Sequence, residues 1–369
     1  MIPFLQNKLL LILALALLTT ATLQAQTGNK ISQKNKPESI ILMIGDGMGL
    51  GQIHAGLTVN RGQLNLLHFK CIGFSKTYSA SDYVTDSGAG GTALASGRKT
   101  YNGAIGVDKD TVPVRSILEY AEAEGMSTGL VSTSAITHAT PASFIAHNKN
   151  RNDYEGIAAD FLKTDIDVII GGGRDNFAAR KDGQNLLYDL KNKGYQVIFS
   201  LDSIRNISEG KLAGFTAPLH NPSKVEGRGD MLPTATQTAL NILSNNSKGF
   251  FLMVEGSQID WASHSNDGAN VAEEVIDFDE AVGVALSFAK KHPKTLVIVT
   301  ADHETGGLTI LNGDYSAGTV KTNFATSDHS GMMVPVFACG PGSEFFQGFQ
   351  ENTDIFSKMM QLLDLDSDK

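Results

Sequence analysis

Short runs of apolar residues recur along the chain, starting after a polar stretch at residues 27–38. Most of these runs are apolar at every position rather than at alternate positions, which is typical of strands covered on both faces of a sheet. This pattern predicts strands at residues 39–44, 129–131, 168–170, 196–199, 249–254, 295–300 and 334–339.

Stretches with the apolar spacing of amphipathic helices lie between most of these runs. They predict helices at residues 114–123, 154–162, 185–191, 233–243, 271–290 and 355–363. Alternating strands and helices favour an α/β fold, a three-layer sandwich whose central, mostly parallel sheet is covered by helices on both faces. Neither a repeat nor a linker divides residues 26–369, so we expect one domain with its ligands at the carboxyl ends of the strands.

The first 25 residues have the composition of a secretory signal peptide. Lys8 precedes an apolar run at residues 9–18, and the polar stretch that follows ends at Ala25. The run is too short to span a bilayer, which favours a signal peptide at residues 1–25 over a retained membrane anchor. We therefore expect a periplasmic or secreted protein without membrane contact after cleavage. Cys71 and Cys339 could pair in that oxidising compartment, and two buried free thiols are the open alternative.

Charge and cysteine content exclude several functions. The 369 residues include 30 Lys and Arg against 39 Asp and Glu, and the net charge of −9 argues against nucleic acid as a partner. Two cysteines are too few for a cysteine-only zinc cluster. Any bound metal must therefore be held by histidines and carboxylates.

Polar side chains suited to metal binding follow several predicted strands. They are Asp46, Glu255, Asp260, His264, Asp302, His303 and His329. An isolated Asp or His at a strand end is usually a cap or a turn residue. Seven such residues at one expected sheet edge are poorly explained in that way, and Asp260 and His264 share a face if their segment is helical. The sequence therefore predicts a site for more than one metal ion.

A candidate nucleophile, Ser87, precedes a predicted helix at residues 88–96. The amides and dipole of a helix N-terminus favour an anion, and a serine hydroxyl beside a divalent metal is a strong nucleophile. The alternative is that Ser87 only caps the helix. Arg151 follows His138 and Thr140 and is suited to bidentate binding of phosphate or carboxylate, although an isolated surface arginine is usually a solvated charge.

Five motifs together resemble the alkaline phosphatase family. They are GDGMG at 45–49, TDSGA at 85–89, HATPA at 138–142, EGSQIDWASH at 255–264 and TADHETGG at 300–307. The resemblance extends from about residue 40 to about residue 355. It is strongest to the compact bacterial members, which include cold-active marine and Antarctic enzymes. It implies an alkaline phosphatase-like fold.

The resemblance also implies roles for individual residues. Ser87 would become phosphorylated during turnover, and Arg151 would hold two of the phosphate oxygens. The implied ligands are Asp260, His264 and His329 for one Zn²⁺; Asp46, Asp302 and His303 for a second Zn²⁺; and Asp46, Thr140 and Glu255 for one Mg²⁺. His138 and Trp261 fall where family members differ. We count His138 among the metal ligands and place Trp261 behind them, and a histidine at the third site would also suit zinc or another transition ion.

The implied reaction is metal-dependent hydrolysis of small phosphate monoesters to an alcohol and inorganic phosphate through a phosphoserine. The alternative is a phosphodiesterase of the same two-metal superfamily, although such relatives typically use threonine and lack the third metal site. A sulfatase would need a Cys- or Ser-x-Pro-x-Arg motif, whereas Ser87 is followed by GAGG. A phosphate-binding protein without turnover would lack the nucleophile or the arginine. Family members include dimers and monomers, so a homodimer is allowed and the oligomeric state stays open.

Overall fold

The computed structural model describes residues 36–365 of the chain. The chain divides into two units, Met1–Lys36 and Pro37–Lys369, and the secondary structure described belongs to the second unit. The predicted signal peptide at residues 1–25 lies outside the described residues. Within residues 36–365, no helix is both long enough and apolar enough to cross a membrane.

Strands form most of the framework of this unit. They are β1 (Ser39–Gly45), β2 (Cys71–Lys76), β3 (Ser127–Ala135), β4 (Val168–Gly172), β5 (Gln196–Ile198), β6 (Leu212–Phe215), β7 (Phe250–Gly256), β8 (Thr295–Thr300), β9 (Glu304–Thr305), β10 (Thr309–Asp314), β11 (Thr319–Asn323), β12 (His329–Ser330), β13 (Val334–Cys339) and β14 (Gly348–Glu351). Ten of them form one sheet in the order β14-β2-β13-β8-β1-β7-β3-β4-β6-β5. Its pairings are parallel except where β13 runs antiparallel to β2 and β8. The predicted mostly parallel sheet is therefore confirmed.

Helices flank this sheet. They are α1 (Leu50–Val59), α2 (Ser87–Ser96), α3 (Ile117–Ala123), α4 (Ala139–Ala142), α5 (Tyr154–Asp160), α6 (Arg174–Ala178), α7 (Leu186–Asn192), α8 (Leu201–Ile204), α9 (Met231–Leu243), α10 (Gln258–His264), α11 (Gly268–Lys291) and α12 (Asn352–Leu362), with 3-10 turns at Asn65–His68 and Ser343–Phe346. On one face, Ile41 and Met43 of β1 belong to a buried cluster with Leu240 of α9 and Phe278 of α11. On the other face, helix α3 packs against β3 and β7. Both faces are covered, which explains why the central strands are apolar throughout.

The register of the central strands determines where the site lies. In β1, Ile44 lies opposite Glu255 of β7 on one side and Thr300 of β8 on the other. The carboxyl ends of three adjacent parallel strands are therefore level with one another. The residues that follow β1 and β8 reach the same sheet edge as the end of β7, the usual ligand edge of such sheets.

Each of the seven predicted strands is present, but several ends differ. The strand predicted at 129–131 extends over Ser127–Ala135. Its later residues include hydroxyl side chains that are buried yet polar, so they do not continue the apolar run. The helix predicted at 114–123 begins only at Ile117, since the Ser116 side chain accepts from the amide of Glu119 and Glu119 bonds back in a capping box. The two cysteines are half-buried free thiols on the neighbouring strands β2 and β13.

Some elements were not predicted because their sequences lack a continuous apolar run. Strand β2, with the sequence CIGFSK, alternates between buried and more exposed positions, and β14 is a short polar strand at the edge of the sheet. Helix α1 contains two glycines and β-branched residues, which weaken a helical pattern.

Candidate active site

Three adjacent strand ends bring buried acidic residues together. Asp46 directly follows β1, Glu255 is the penultimate residue of β7, and Asp302 and His303 lie just beyond β8. All four side chains are buried. Nε2 of His303 lies 3.3 Å from Oδ1 of Asp46 and 3.4 Å from Oδ2 of Asp302. The sheet therefore assembles at one edge the residues that the sequence placed at separate strand ends.

The candidate metal ligands fall into three groups, in each of which the ligand atoms lie within 4.8 Å of one another. The groups are Asp260, His264 and His329; Asp46, Asp302 and His303; and Asp46, His138 and Glu255. Asp46 belongs to two groups and so lies between them. Thr140, the remaining predicted ligand, is a buried residue of the short helix α4, directly after His138 and Ala139.

The histidines of the first group are oriented by backbone carbonyls. Nδ1 of His264 lies 2.7 Å from the carbonyl oxygen of Ser327, and Nδ1 of His329 lies 2.8 Å from that of Thr85. A carbonyl only accepts, so each Nδ1 carries the proton and each Nε2 is left free to bind a metal. The two Nε2 atoms lie 3.3 and 3.5 Å from Oδ1 of Asp260. Helix α10 therefore supplies Asp260 and His264 from one face, as their spacing predicts.

Several buried polar atoms at this edge have no hydrogen-bond partner. They are both carboxylate oxygens of Asp46, Oε1 of Glu255, Oδ2 of Asp302, Nδ1 of His138 and Oγ1 of Thr140. Buried polar atoms without a partner are rare because they cost free energy. Zinc binds oxygen and imidazole nitrogen in proteins, and magnesium binds oxygen. The residues present therefore fit divalent cations.

Crowded negative charge supports the same conclusion. Burial raises the pKa of Asp46 well above its usual value, and the nearby carboxylates of Asp302 and Asp260 raise it further. Burial likewise raises the pKa of Glu255 to about 7 and that of Asp302 to about 6. Burial lowers the pKa of His138 to about 3, so this imidazole is neutral and its lone pair is available. Divalent cations would relieve the repulsion among these carboxylates.

Ser87 is the first residue of α2 and not its cap. The cap is Asp86, whose side chain accepts from the amide of Ala89, so the interpretation of Ser87 as a mere N-cap is wrong. The buried Ser87 Oγ lies 3.3 Å from Nε2 of His303. Gly90 lets the helix come this close, because a Cβ there would lie only 3.0 Å from the carbonyl oxygen of Asp302.

Arg151 is tied to the same helix. Its Nη1 donates to Oδ2 of Asp86 over 2.8 Å, and this oxygen also accepts from the amide of Gly103 over 2.9 Å. The Arg151 side chain is mostly buried, and its charge lowers the pKa of Asp46, against the larger effect of burial. Asp86 lies inside the TDSGA motif, but the sequence analysis gave it no role. An acidic cap directly before a candidate nucleophile is the signal that could have identified it.

Trp261 and His138 form an aromatic wall with a third residue, His220. The Trp261 ring meets that of His138 edge-to-face at 5.7 Å between centroids, and that of His220 at 4.8 Å. Nδ1 of His220 accepts from the amide of Ala135 over 3.0 Å. His220 was not predicted, because it lies in the loop between β6 and α9 and in none of the five motifs.

Comparison with known proteins identifies the family. The family model described as alkaline phosphatase matches residues 37–325. The chain belongs to the alkaline phosphatase family. It is 37% identical to alkaline phosphatase 4 of Bacillus subtilis, in an alignment that covers 97% of this chain and 97% of the Bacillus protein. It is 32% identical to the alkaline phosphatase of Escherichia coli, over 90% of this chain and 88% of the Escherichia coli protein.

Solved structures of alkaline phosphatases share the fold. The enzyme from the Antarctic bacterium TAB5 is 42% identical, with a TM-score of 0.85, and the match covers 90% of this chain and 99% of that enzyme. The cold-active enzyme of a Shewanella species is 37% identical, with a TM-score of 0.82, over 88% of this chain and 99% of that enzyme. The expected similarity to cold-active bacterial members is therefore confirmed.

Membership of the family decides the reaction class. This alkaline phosphatase is an enzyme that hydrolyses phosphate monoesters. Three clusters of its described residues could hold metal ions.

Proposed function

We propose that this alkaline phosphatase transfers the phosphoryl group of a monoester to Ser87 and then to water. The observation that carries the proposal is the position of Ser87 Oγ, 3.3 Å from Nε2 of His303. It places the only serine of the TDSGA motif beside the group formed by Asp46, Asp302 and His303. A nucleophile and its activating group must be this close for covalent catalysis.

The groups of candidate ligands would hold three divalent cations. We assign one Zn²⁺ to Asp260, His264 and His329, a second to Asp46, Asp302 and His303, and one Mg²⁺ to Asp46, Thr140 and Glu255 with His138 beside it. Cations bound there supply charge neutralisation for the phosphoryl oxygens and a lowered pKa for the attacking hydroxyl. Variants of the TAB5 enzyme in which one histidine is replaced by Asp or Glu hold Mg at a site named M3.

The protein's own groups bind and orient the phosphoryl group. Nη1 of Arg151 donates a hydrogen bond to Asp86. This bond fixes the plane of the guanidinium and leaves its other N–H groups for phosphate oxygens. The first amides of α2 and the helix dipole favour the same anion. In the first step, Oγ of Ser87 attacks phosphorus and the alcohol leaves. In the second, water attacks the phosphoserine and inorganic phosphate leaves.

The proposal also includes export. Residues 1–25 would be removed as a signal peptide, which gives a periplasmic or secreted enzyme. The described domain starts with β1 at Ser39, well after that cleavage point, so removal of the leader leaves the catalytic sheet intact.

The test compares hydrolysis of an aryl phosphate monoester with that of the matching diester. Wild type should turn over the monoester, lose activity when stripped of metal and regain it with zinc and magnesium. Ser87→Ala should reduce kcat by at least about a thousand-fold. The matched control is Ser96→Ala in the same helix, because Ser96 Oγ bonds only the carbonyl of Thr92 and the amide of Arg98.

A second readout addresses the mechanism. Protein quenched with acid during turnover should carry one phosphate on the peptide that contains Ser87, as measured by mass spectrometry. Faster hydrolysis of the diester, or full activity in Ser87→Ala, would contradict the proposal.

A further inference from the structure

Three fully buried serines surround one oxygen of Glu255. Ser132 and Ser134 belong to β3, and Ser257 directly follows β7. Oγ of Ser132 donates to Oε2 of Glu255 over 2.6 Å. A hydrogen bond this short to a buried carboxylate is strong, because one partner is charged and water is excluded.

The other two serines keep the Ser132 hydroxyl directed at that oxygen. The amide of Ser134 donates to Oγ of Ser132 over 3.0 Å, so the Ser132 oxygen is already an acceptor. The Ser257 hydroxyl lies 2.9 Å from the Ser132 hydroxyl, and the Ser134 hydroxyl lies 2.8 Å from it. Ser257 is itself fixed, since its amide donates to Oγ1 of Thr133. We call Ser132, Ser134 and Ser257 the serine trio.

The serine trio makes the two carboxylate oxygens of Glu255 differ in their hydrogen bonding. Oε2 is held by serine, whereas Oε1 has no hydrogen-bond partner and is buried. Glu255 forms a candidate metal group with Asp46 and His138, and the unpartnered oxygen is the one free to serve it. This arrangement favours binding of a cation through Oε1 alone.

We propose that the serine trio makes Glu255 a one-oxygen ligand and so makes the third site select small divalent cations, magnesium or zinc, over calcium. Calcium takes six to eight oxygens and commonly binds a carboxylate through both of them, whereas magnesium keeps a compact octahedral shell. Partners of a ligand group commonly tune metal affinity in this way. The inference rests on the assignment of Glu255 to a metal site in the proposed function.

The test measures cation binding directly and does not depend on turnover. Metal-stripped protein is reloaded with two equivalents of zinc and titrated with magnesium or with calcium in a calorimeter. Glu255→Gln, which should lose the signal, identifies the third site. In Ser132→Ala, magnesium affinity should fall on the order of tenfold while calcium affinity holds or rises, so the magnesium-to-calcium affinity ratio falls at least about tenfold.

Two further variants make the result interpretable. Ser96→Ala removes a buried hydroxyl that bonds only backbone groups of its own segment, and it should keep the wild-type ratio. Ser132→Cys keeps the side-chain shape with a larger atom and a weaker donor, and it should shift the ratio in the same direction if Ser132→Ala does not fold. An unchanged ratio in a folded Ser132 variant would overturn this inference alone. Wild-type cation binding that Glu255→Gln leaves intact would overturn the assignment of Glu255 as well.

Discussion

A single carboxylate, that of Asp86, organises both partners of the proposed phosphoryl transfer. Oδ1 accepts from the amide of Ala89 and so caps the helix that begins with Ser87. Oδ2 accepts from Arg151. The position of the nucleophile and the position of the phosphate-binding arginine therefore depend on the same side chain.

Asp86→Asn separates these two functions of Asp86. Asparagine is as good a cap as aspartate, so α2 should be retained. The charge-assisted bond to Arg151 is lost, which costs about 1 kcal/mol of orientation and should weaken competitive inhibition by inorganic phosphate by roughly fivefold. Inhibition constants measured on the two proteins check this.

The matched control for Asp86→Asn is Asp153→Asn. Asp153 also caps a helix, α5, through the amide of Gly156, and its other oxygen accepts from Asn148. Asp153 has no hydrogen bond to Arg151, so the inhibition constant of inorganic phosphate for Asp153→Asn should stay at the wild-type value. Equal effects of the two substitutions would contradict a specific role of Asp86.

His147 provides a pH-dependent contact away from the candidate metal ligands. Its hydrogen bond to Glu119 raises its pKa above the usual 6.5, although burial acts in the opposite direction. The folded protein therefore binds this proton more tightly than the unfolded chain does. The resulting stabilisation is complete below pH 6.5 and is lost as the pH rises through the raised pKa.

His147→Gln should therefore destabilise the protein more at pH 6 than at pH 9. Urea unfolding of both proteins at the two pH values measures the difference in unfolding free energy. In a Glu119→Gln background, which lacks the partner of His147, the effect of His147→Gln on the unfolding free energy should be nearly independent of pH. A larger destabilisation by His147→Gln at pH 9 than at pH 6 would contradict this prediction.

At the scale of elements, the loop between β6 and α9 is anchored to α11 by buried ion pairs. Arg228 in this loop contacts the carboxylates of Glu274 and Asp277, and Lys224 lies 2.8 Å from Asp277. The same loop carries His220, which packs against Trp261 beside the candidate metal ligands. The ion pairs therefore stabilise one wall of the active site from a distance.

Arg228→Met should lower the unfolding free energy by about 3–5 kcal/mol, because it leaves Glu274 buried without its charge partner and Asp277 with Lys224 alone. Denaturant unfolding of metal-loaded protein measures this. The control is Arg174→Met, whose ion pair with Asp175 is partly exposed to solvent and should contribute less than about 1 kcal/mol. Similar losses in both variants would contradict a special role for the buried cluster.

Complete burial helps to predict a strand but does not decide it, since the partly exposed edge strand β5 was predicted and the buried strand β6 was missed. Strands β1 and β8 are apolar on both faces, and their predicted positions are nearly those observed. Strands at or near the sheet edge, such as β2 and β14, carry no such signal. The end of β3 was missed for a different reason, since its buried serines satisfy one another and Glu255 through hydrogen bonds that a single sequence does not display.

At the scale of the whole molecule, the candidate site draws on nearly the full length of the described chain. Its candidate ligands extend from Asp46 to His329, and the family motifs contain all of them except His329. The motifs do not show which residues that are far apart in the sequence contact each other. The contact between Asp86 and Arg151 spans 65 residues, and the one between His220 and Trp261 joins a loop to a helix. Such contacts depend on tertiary packing, which local patterns do not encode.

The position of β1 in the sheet has a consequence for biosynthesis. Both of its neighbours, β7 and β8, begin only at Phe250 and Thr295. Translation at 5–20 residues per second delays the first of these partners by roughly 10–40 s after β1 has been made. Throughout that interval the most apolar strand near the start of the domain has two open edges, a template for aggregation. We therefore expect nascent chains to aggregate less when β1 is shielded until most of the protein has been translated.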